Sequence, residues 1–157
     1  MRRTPGALAS LAIALALTAI PTGLNAEEAE TWRYQCLGDE AAGTNICTTE
    51  LATFEDGEEF IVYFVHTGKG KPPLVVSGEN EAIDNVTVAV DKNDSHQSSD
   101  CDSGACVFGA QASETLMTEF RKGFRAKVTV RTKGGPIVFQ RQLSLRGFTA
   151  ALTAPPG

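Results

Sequence analysis

The fold class is decided by residues 126–145, which read AKVTVRTKGGPIVFQRQLSL. Apolar and polar side chains alternate over residues 126–131, and this period of two predicts a half-buried β-strand. Residues 134–136 (Gly-Gly-Pro) are a strong turn signal, and residues 137–145 predict the return strand. The stretch therefore predicts a β-hairpin.

The return strand contains one break in its alternation. The residues that share its apolar face are Ile137, Phe139, Leu143 and Leu145, and Arg141 falls on that same face. Burial of an unpaired charge is costly. We therefore expect a β-bulge, an edge position in the sheet, or an arginine that is paired with an acid.

Short β-type segments separated by turn residues make up most of the remaining chain. Residues 59–66 (EFIVYFVH) are apolar on both faces, which predicts a central strand covered on both sides. Trp32, Tyr34 and Tyr63 are candidates for aromatics of an exposed binding face, but because they lie at strand positions we expect all three to pack in the core. Further β-type segments lie at residues 32–36, 45–54, 74–76, 86–90 and 106–110. Eight or nine short strands with closely spaced turns predict an all-β fold, a two-sheet β-sandwich.

One short helix interrupts the β pattern, near residues 114–122 (ETLMTEFRK). The apolar residues that share a helical face are Leu116, Met117 and Phe120. Ser113 is a suitable N-cap, and Gly123 suits the position after the helix, where a left-handed conformation is common. A helix of this length is unstable alone, so we expect it to dock on a sheet.

The N-terminus matches a cleavable export signal. Two arginines form a positive region, an apolar stretch follows over residues 7–20, and Ala26 supplies the small residue that signal peptidase needs. A membrane anchor is the alternative, but the apolar stretch is shorter than the roughly 20 residues of a spanning helix. We therefore predict a signal peptide over residues 1–26, cleaved near Ala26, and a single mature domain over residues 27–157.

The chain is acidic, with a formal net charge of −5 at pH 7. Cleavage of the signal removes Arg2 and Arg3 and no acid, so the mature domain is more acidic still. A negative domain repels phosphate backbones, which argues against nucleic acid as a partner. The signal is also the only long apolar run, so we expect no transmembrane span in the mature domain.

Four cysteines lie in the predicted mature domain: Cys36, Cys47, Cys101 and Cys106. An even number in an exported domain predicts two disulfides. Three pairings are possible, and we favour Cys36–Cys47 with Cys101–Cys106 because each pair brackets a polar, Gly-containing loop. The alternative is a four-cysteine zinc site, which needs two closely spaced cysteine pairs. The spacing of Cys36 and Cys47 does not suit such a pair.

Candidate catalytic and metal-binding residues are few. His66 ends an apolar strand and His96 lies in the polar loop of residues 91–102, and no Gly-x-Ser-x-Gly nucleophile motif accompanies either histidine. The loop has acids and amides at alternate positions, as calcium loops do, but His96 occupies the place of the essential glycine. We therefore assign no catalytic, metal-binding or cofactor-binding residue and expect a solvated loop.

The C-terminal third contains a distinctive segment at residues 142–152 (QLSLRGFTAAL). Together with the cysteine spacing over residues 101–106 and the start Trp32-x₃-Cys36 followed by Cys47, it resembles the invasion-associated locus B family. The resemblance covers nearly all of the predicted mature domain. It implies an immunoglobulin-like β-sandwich in the envelope of a Gram-negative bacterium, and it brings no enzymatic activity, cofactor or catalytic residue.

Three functional hypotheses follow from these features. The first is a non-catalytic protein of the periplasm or cell envelope that binds an unknown envelope or host-surface protein, linked in some relatives to host-cell invasion. The alternative is a periplasmic carrier of a small apolar ligand or lipid, which needs a pocket between the sheets. The third is a hydrolase, which needs a polar cleft that gathers His66 or His96 with serines and acids.

Overall fold

The computed structural model describes residues 30–38, 43, 45–68, 70–80 and 82–154. The predicted signal peptide lies outside these residues. The strands in chain order are β1 Arg33–Leu37, β2 Ile46–Glu55, β3 Glu58–His66, β4 Leu74–Gly78, β5 Ile83–Val90, β6 His96–Ser98, β7 Cys101–Asp102, β8 Ala105–Val107, β9 Arg125–Thr132 and β10 Ile137–Ser144. The helices are α1 Ala110–Lys122 and α2 Phe148–Thr153.

The strands form two antiparallel sheets, which confirms the predicted all-β sandwich. The larger sheet has the strand order β1-β2-β3-β4-β8-β7, and the smaller sheet has the order β10-β9-β5-β6. The hairpin predicted from residues 126–145 is the β9–β10 pair. The described residues hold more strands than the eight or nine we predicted, because part of the expected solvated loop, from His96 to Asp102, forms the short strands β6 and β7.

The core lies between the two sheets and is rich in aromatic rings. Phe60 of the larger sheet stacks on Phe139 of the smaller sheet, with ring centroids 4.4 Å apart. Trp32, Phe120 and Phe148 form a second aromatic group, in which the Trp32 and Phe148 centroids are 4.9 Å apart. Offset and edge-to-face contacts of this kind stabilise a core beyond the area that they bury. The two helices therefore close the sandwich by adding rings to its core.

Helix α1 begins four residues earlier than the predicted start at residue 114, and Ser113 is not its N-cap. Gly109 holds that position, and Ser113 is fully buried in the first turns. The Ser113 hydroxyl donates to the Phe108 carbonyl at 2.9 Å and accepts from the backbone N–H of Leu74 at 3.0 Å. The prediction was wrong because a serine that joins the helix to strand β4 looks, in sequence, like a cap.

Gly123 ends helix α1, but without the left-handed conformation that we expected. Its φ is −83°, and its N–H donates to the Glu119 carbonyl at 2.7 Å. Glycine is required here for space, because a Cβ would lie 2.4 Å from Val90 Cγ1 and 2.9 Å from an oxygen of Asp91. The residue is therefore selected by close packing of the helix end on strand β5.

Helix α2 was not predicted as a separate element. It spans only six residues, which is too short for a helical period to be visible in the sequence. Gly147 precedes it with φ 88°, a left-handed conformation that favours glycine. Phe148 is fully buried, so the turn and helix place this ring in the core.

The break at Arg141 has the physical explanations that we expected. Strand β10 is an edge strand, and its pairing with β9 shifts between Ile137 and Phe139. Because of this bulge Ile137 is 46% exposed, so our placement of Ile137 on the inner face was wrong. Arg141 keeps the inner face and pairs with Glu30 at 3.0 Å and with Glu55 at 3.5 Å. An inward-pointing charge also protects a sheet edge from aberrant pairing.

Candidate functional site

The four cysteines form two cross-strand disulfides in the pairing that the sequence favoured. Cys36 and Cys47 lie directly opposite each other on β1 and β2. Cys101 and Cys106 lie opposite each other on β7 and β8. All four sulfurs are used in these bonds, so none is available as a zinc ligand. The bridges therefore staple both edges of the larger sheet.

His66 sits at the end of β3 in a contact that holds its ring in place. Its Nε2 lies 2.9 Å from the hydroxyl of Thr49, and its ring is 5.6 Å from the ring of Tyr34. Burial lowers the pKa of His66 below its ordinary value, and the positive charge of Arg121 lowers it further. Thr49 is fully buried, so its hydroxyl is not accessible to a substrate from solvent. The pair is suited to structure rather than to nucleophilic catalysis.

His96 lies elsewhere, on β6, and faces helix α1. Its Nε2 is 3.7 Å from Glu119 Oε2, and that oxygen is buried without a hydrogen-bond partner among the described residues. His96 also lines an open depression of about 550 Å³ beside the start of α1. The two histidines thus belong to separate parts of the fold, and each has a partner of its own.

The polar loop after β5 uses its first acid for structure. Asp91 accepts hydrogen bonds from the backbone N–H groups of Phe124 and Arg125, each at 3.0 Å. Both carboxylate oxygens are thereby engaged by the protein. The described residues contain no group of three or more side chains suited to a metal ion.

The outer face of the larger sheet, which points away from the smaller sheet, carries exposed apolar side chains. They are Leu37 (70% exposed), Ile46 (53%), Phe54 (58%) and Val107 (38%). Leu37 and Ile46 lie directly opposite each other on β1 and β2. Ile46 and Phe54 lie eight residues apart on β2, and Val107 lies on β8, so the four side chains are distributed over the face.

The centre of the outer face contains a hydrogen-bonded carboxylate. Glu50 is 9% exposed and accepts hydrogen bonds from the Gln35 amide at 2.6 Å and from the Thr48 hydroxyl at 2.9 Å. Burial raises the pKa of the neighbouring Tyr63, a hydrogen bond with Ser77 opposes this effect, and the Glu50 charge adds to it. The side chains of Gln35, Thr48 and Glu50 hydrogen-bond to one another, so this part of the outer face is ordered.

The three aromatic residues singled out in the sequence have different environments. Trp32 is buried and donates from Nε1 to the Ser144 carbonyl at 2.8 Å. Tyr34 and Tyr63 are only half-buried, and Tyr63 lies on the outer face. The core prediction therefore holds for Trp32 alone. Strand β3 is central, but our prediction that it is covered on both sides was wrong, because Ile61, Tyr63 and Val65 on its outer face are only half-buried.

Comparison with known proteins is informative at the level of the family. The sequence model described as "Invasion associated locus B (IalB) protein" matches residues 32–156. The chain belongs to the invasion-associated locus B family. The match covers most of the chain, including both cysteine pairs, and confirms the resemblance seen at residues 142–152. Searches of curated proteins and of solved structures found no match.

Membership of this family supports the interpretation that the chain is an envelope protein of the invasion-associated locus B type. Two disulfides are consistent with an exported protein of this family, because such bonds persist in oxidising compartments. Neither helix in the described part of the chain is long and apolar enough to cross a membrane.

Proposed function

We propose that this invasion-associated locus B protein is exported to the periplasm or cell envelope and acts without catalysis, by binding a protein partner through the outer face of its larger sheet. The observation that carries the proposal is the collection of exposed apolar side chains on that one face, Leu37, Ile46, Phe54 and Val107. Their burial against a partner releases the water that they order, which favours association.

The chemistry of the partner follows from what borders the apolar face. Phe54 lies beside the β2–β3 turn, where Asp56 in the turn and Glu58 and Glu59 at the start of β3 add negative charge. An apolar surface with an acidic border fits a protein that presents apolar side chains flanked by lysine or arginine. Such charges mainly steer the encounter and select the partner, while the apolar contact supplies affinity.

The geometry of the candidate chemical groups supports a non-catalytic role. The Thr49 hydroxyl bonded to His66 is fully buried, and His96 faces Glu119 on a different part of the surface. The packed aromatic rings, including the stacked pair Phe60 and Phe139, fill the space in which a carrier would hold an apolar ligand. Binding at the surface is therefore better supported than hydrolysis or ligand transport.

The test compares three baits in a pull-down from detergent-solubilised envelope. Leu37→Ser with Phe54→Ser removes two apolar side chains from the outer face, and Phe124→Ser with Ile137→Ser removes two exposed apolar side chains elsewhere. We expect the wild type and the Phe124→Ser/Ile137→Ser variant to retain the same protein, one whose surface carries apolar side chains flanked by lysine or arginine. The outer-face variant should lose that protein. Equal capture by all three baits would refute the proposal. If the wild type self-associates and the outer-face variant does not, the partner of the outer face is a second copy of this chain.

Export has its own test. Mass spectrometry of the protein purified from a periplasmic fraction should find an N-terminus near Glu27, because we predict cleavage near Ala26. An uncleaved chain confined to the cytoplasm would contradict the proposed localisation.

A further inference from the structure

Phe124 is the most exposed large apolar side chain in the described part of the molecule, at 81%. It lies in the short connection between helix α1 and strand β9, far in the sequence from the residues of the outer face. A lone exposed aromatic residue would need no explanation on a mobile loop. Here the backbone that carries it is tightly held.

Three hydrogen bonds fix the Phe124 backbone. Its N–H donates to Asp91 Oδ2 at 3.0 Å, and its carbonyl accepts from the Leu145 N–H at 3.0 Å. The next N–H, that of Arg125, donates to Asp91 Oδ1 at 3.0 Å. The fold thus orders this connection and still presents the Phe124 ring to solvent.

Six exposed cations lie on the segments that adjoin Phe124 in the sequence or through its backbone hydrogen bonds. We call the basic tip the set formed by Phe124 and six exposed cations, namely Lys92, Arg121, Lys122, Arg125, Lys127 and Arg146. Arg121 and Lys122 end α1, Arg125 and Lys127 begin β9, and Arg146 follows Leu145. This concentration stands out in a chain with a net charge of −5.

Three of the six cations share one depression. Lys92, Arg125, Lys127 and Gln142 line one open depression of about 280 Å³ together with Asp91. Asp91 is the acid at the centre of the tip, and both its oxygens are bonded to backbone N–H groups. The depression is lined by three cations and one acid, so its net charge is positive and attracts an external anion.

We propose that the basic tip binds the surface of an anionic lipid bilayer, with the cations contacting lipid phosphates and Phe124 entering the interfacial region. Cationic residues near an anionic membrane each contribute about 1 kcal/mol of attraction. Protein surfaces that lie on a membrane without spanning it combine aromatic side chains with cations. A free anion or a nucleic acid would satisfy the cations but would leave the Phe124 ring without an apolar phase.

The proposal is independent of the outer face, because the two surfaces involve different residues. A protein held on a membrane by the basic tip keeps its outer face free for the partner proposed above. Failure of either proposal leaves the other intact.

The experiment measures flotation of the mature chain with two kinds of vesicle, pure phosphatidylcholine and phosphatidylcholine mixed with phosphatidylglycerol. We expect binding to the mixed vesicles only, and weaker binding as salt is raised. The variant Arg125→Gln with Lys127→Gln should lower the partition coefficient about thirty-fold, because two cations are lost. Equal binding of the wild type to neutral and anionic vesicles would overturn the proposal.

Two control variants match these changes elsewhere. Lys71→Gln with Lys133→Gln removes two exposed cations outside the tip, and Phe54→Ser removes an exposed ring on the outer face. Both should bind mixed vesicles as the wild type does, whereas Phe124→Ser should bind more weakly. An equal loss in the control variants would show non-specific attraction and overturn the assignment to the tip.

Insertion of the ring has a spectroscopic readout. In Phe124→Trp, the emission of the new indole should shift to shorter wavelength when mixed vesicles are added, while Trp32 is buried and serves as a constant background. Inorganic phosphate at matched ionic strength should not displace the protein any better than chloride does. Displacement by phosphate alone, or an unshifted emission spectrum in the vesicle-bound variant, would contradict lipid binding by the basic tip.

Discussion

Ser113 shows how one buried hydroxyl connects elements that are distant in sequence. It donates to the Phe108 carbonyl and accepts from the Leu74 N–H, and both contacts are buried. The sequence indicated a helix here but not this role, because a capping serine and a bridging serine have the same local neighbours. Only the approach of β4 to the helix distinguishes them.

The Ser113 contact can be tested by truncation. We expect Ser113→Ala to lower the free energy of unfolding by about 1–3 kcal/mol, because the buried Leu74 N–H is left without its acceptor. The measurement is chemical denaturation. Thr118→Ala in the same helix removes an exposed hydroxyl that bonds the Glu114 carbonyl and should have a much smaller effect. Equal losses in the two variants would contradict the bridging role.

His66 makes stability depend on pH. Burial and Arg121 lower its pKa in the folded protein, so the unfolded chain binds a proton more readily. The contribution is fully present above the unfolded pKa of about 6.5 and is lost as pH falls from there through the lower folded pKa. We expect His66→Gln to reduce this dependence in urea unfolding series. An unchanged slope of stability against pH in that window would contradict the prediction.

At the scale of elements, the short strands β7 and β8 depend on their disulfide. Cys101 and Cys106 are five residues apart, and the β7–β8 pair is the outer edge of the larger sheet. So short a hairpin has few backbone hydrogen bonds of its own. The cysteine spacing and a β-type segment from Cys106 were readable in the sequence, whereas β7, with two residues, was too short to predict.

Loss of this bridge should be measurable. We expect Cys101→Ser to lower the free energy of unfolding by about 2 kcal/mol, from the entropy that the closed loop removes from the unfolded chain. Thermal or chemical unfolding gives the value, and dithiothreitol should affect the variant less than the wild type. An unchanged melting temperature would mean that the bond contributes nothing to stability.

At the scale of the whole molecule, Arg141 fastens the two sheets at one edge. From β10 of the smaller sheet it donates to the Thr53 hydroxyl at 2.7 Å and to the Phe54 carbonyl at 3.0 Å, both on the larger sheet. It also pairs with Glu30 and Glu55. A paired arginine was one of the three explanations that the sequence left open, and the sequence could not name partners that lie far away along the chain.

We expect Arg141→Gln to lower the free energy of unfolding by about 2–3 kcal/mol, because several charge-assisted hydrogen bonds are lost together. Arg131→Gln is the matched control, since Arg131 makes one exposed bond to the Gly135 carbonyl. Urea denaturation of both variants measures the difference. A loss in Arg141→Gln no larger than in Arg131→Gln would show that the edge contact does not join the sheets.

The sequence by itself determined the β-sandwich class, the β9–β10 hairpin, the favoured disulfide pairing and the family, because alternation, turn residues and motif spacing are local properties. Tertiary structure alone decided where helix α1 begins, which face of β3 is covered, and which residues Arg141 contacts. It also decided that Leu37 and Phe54 share one exposed face and that Phe124 is exposed beside segments that carry six cations. Surfaces of this kind combine residues from distant segments, so they exist only once the sheets have packed.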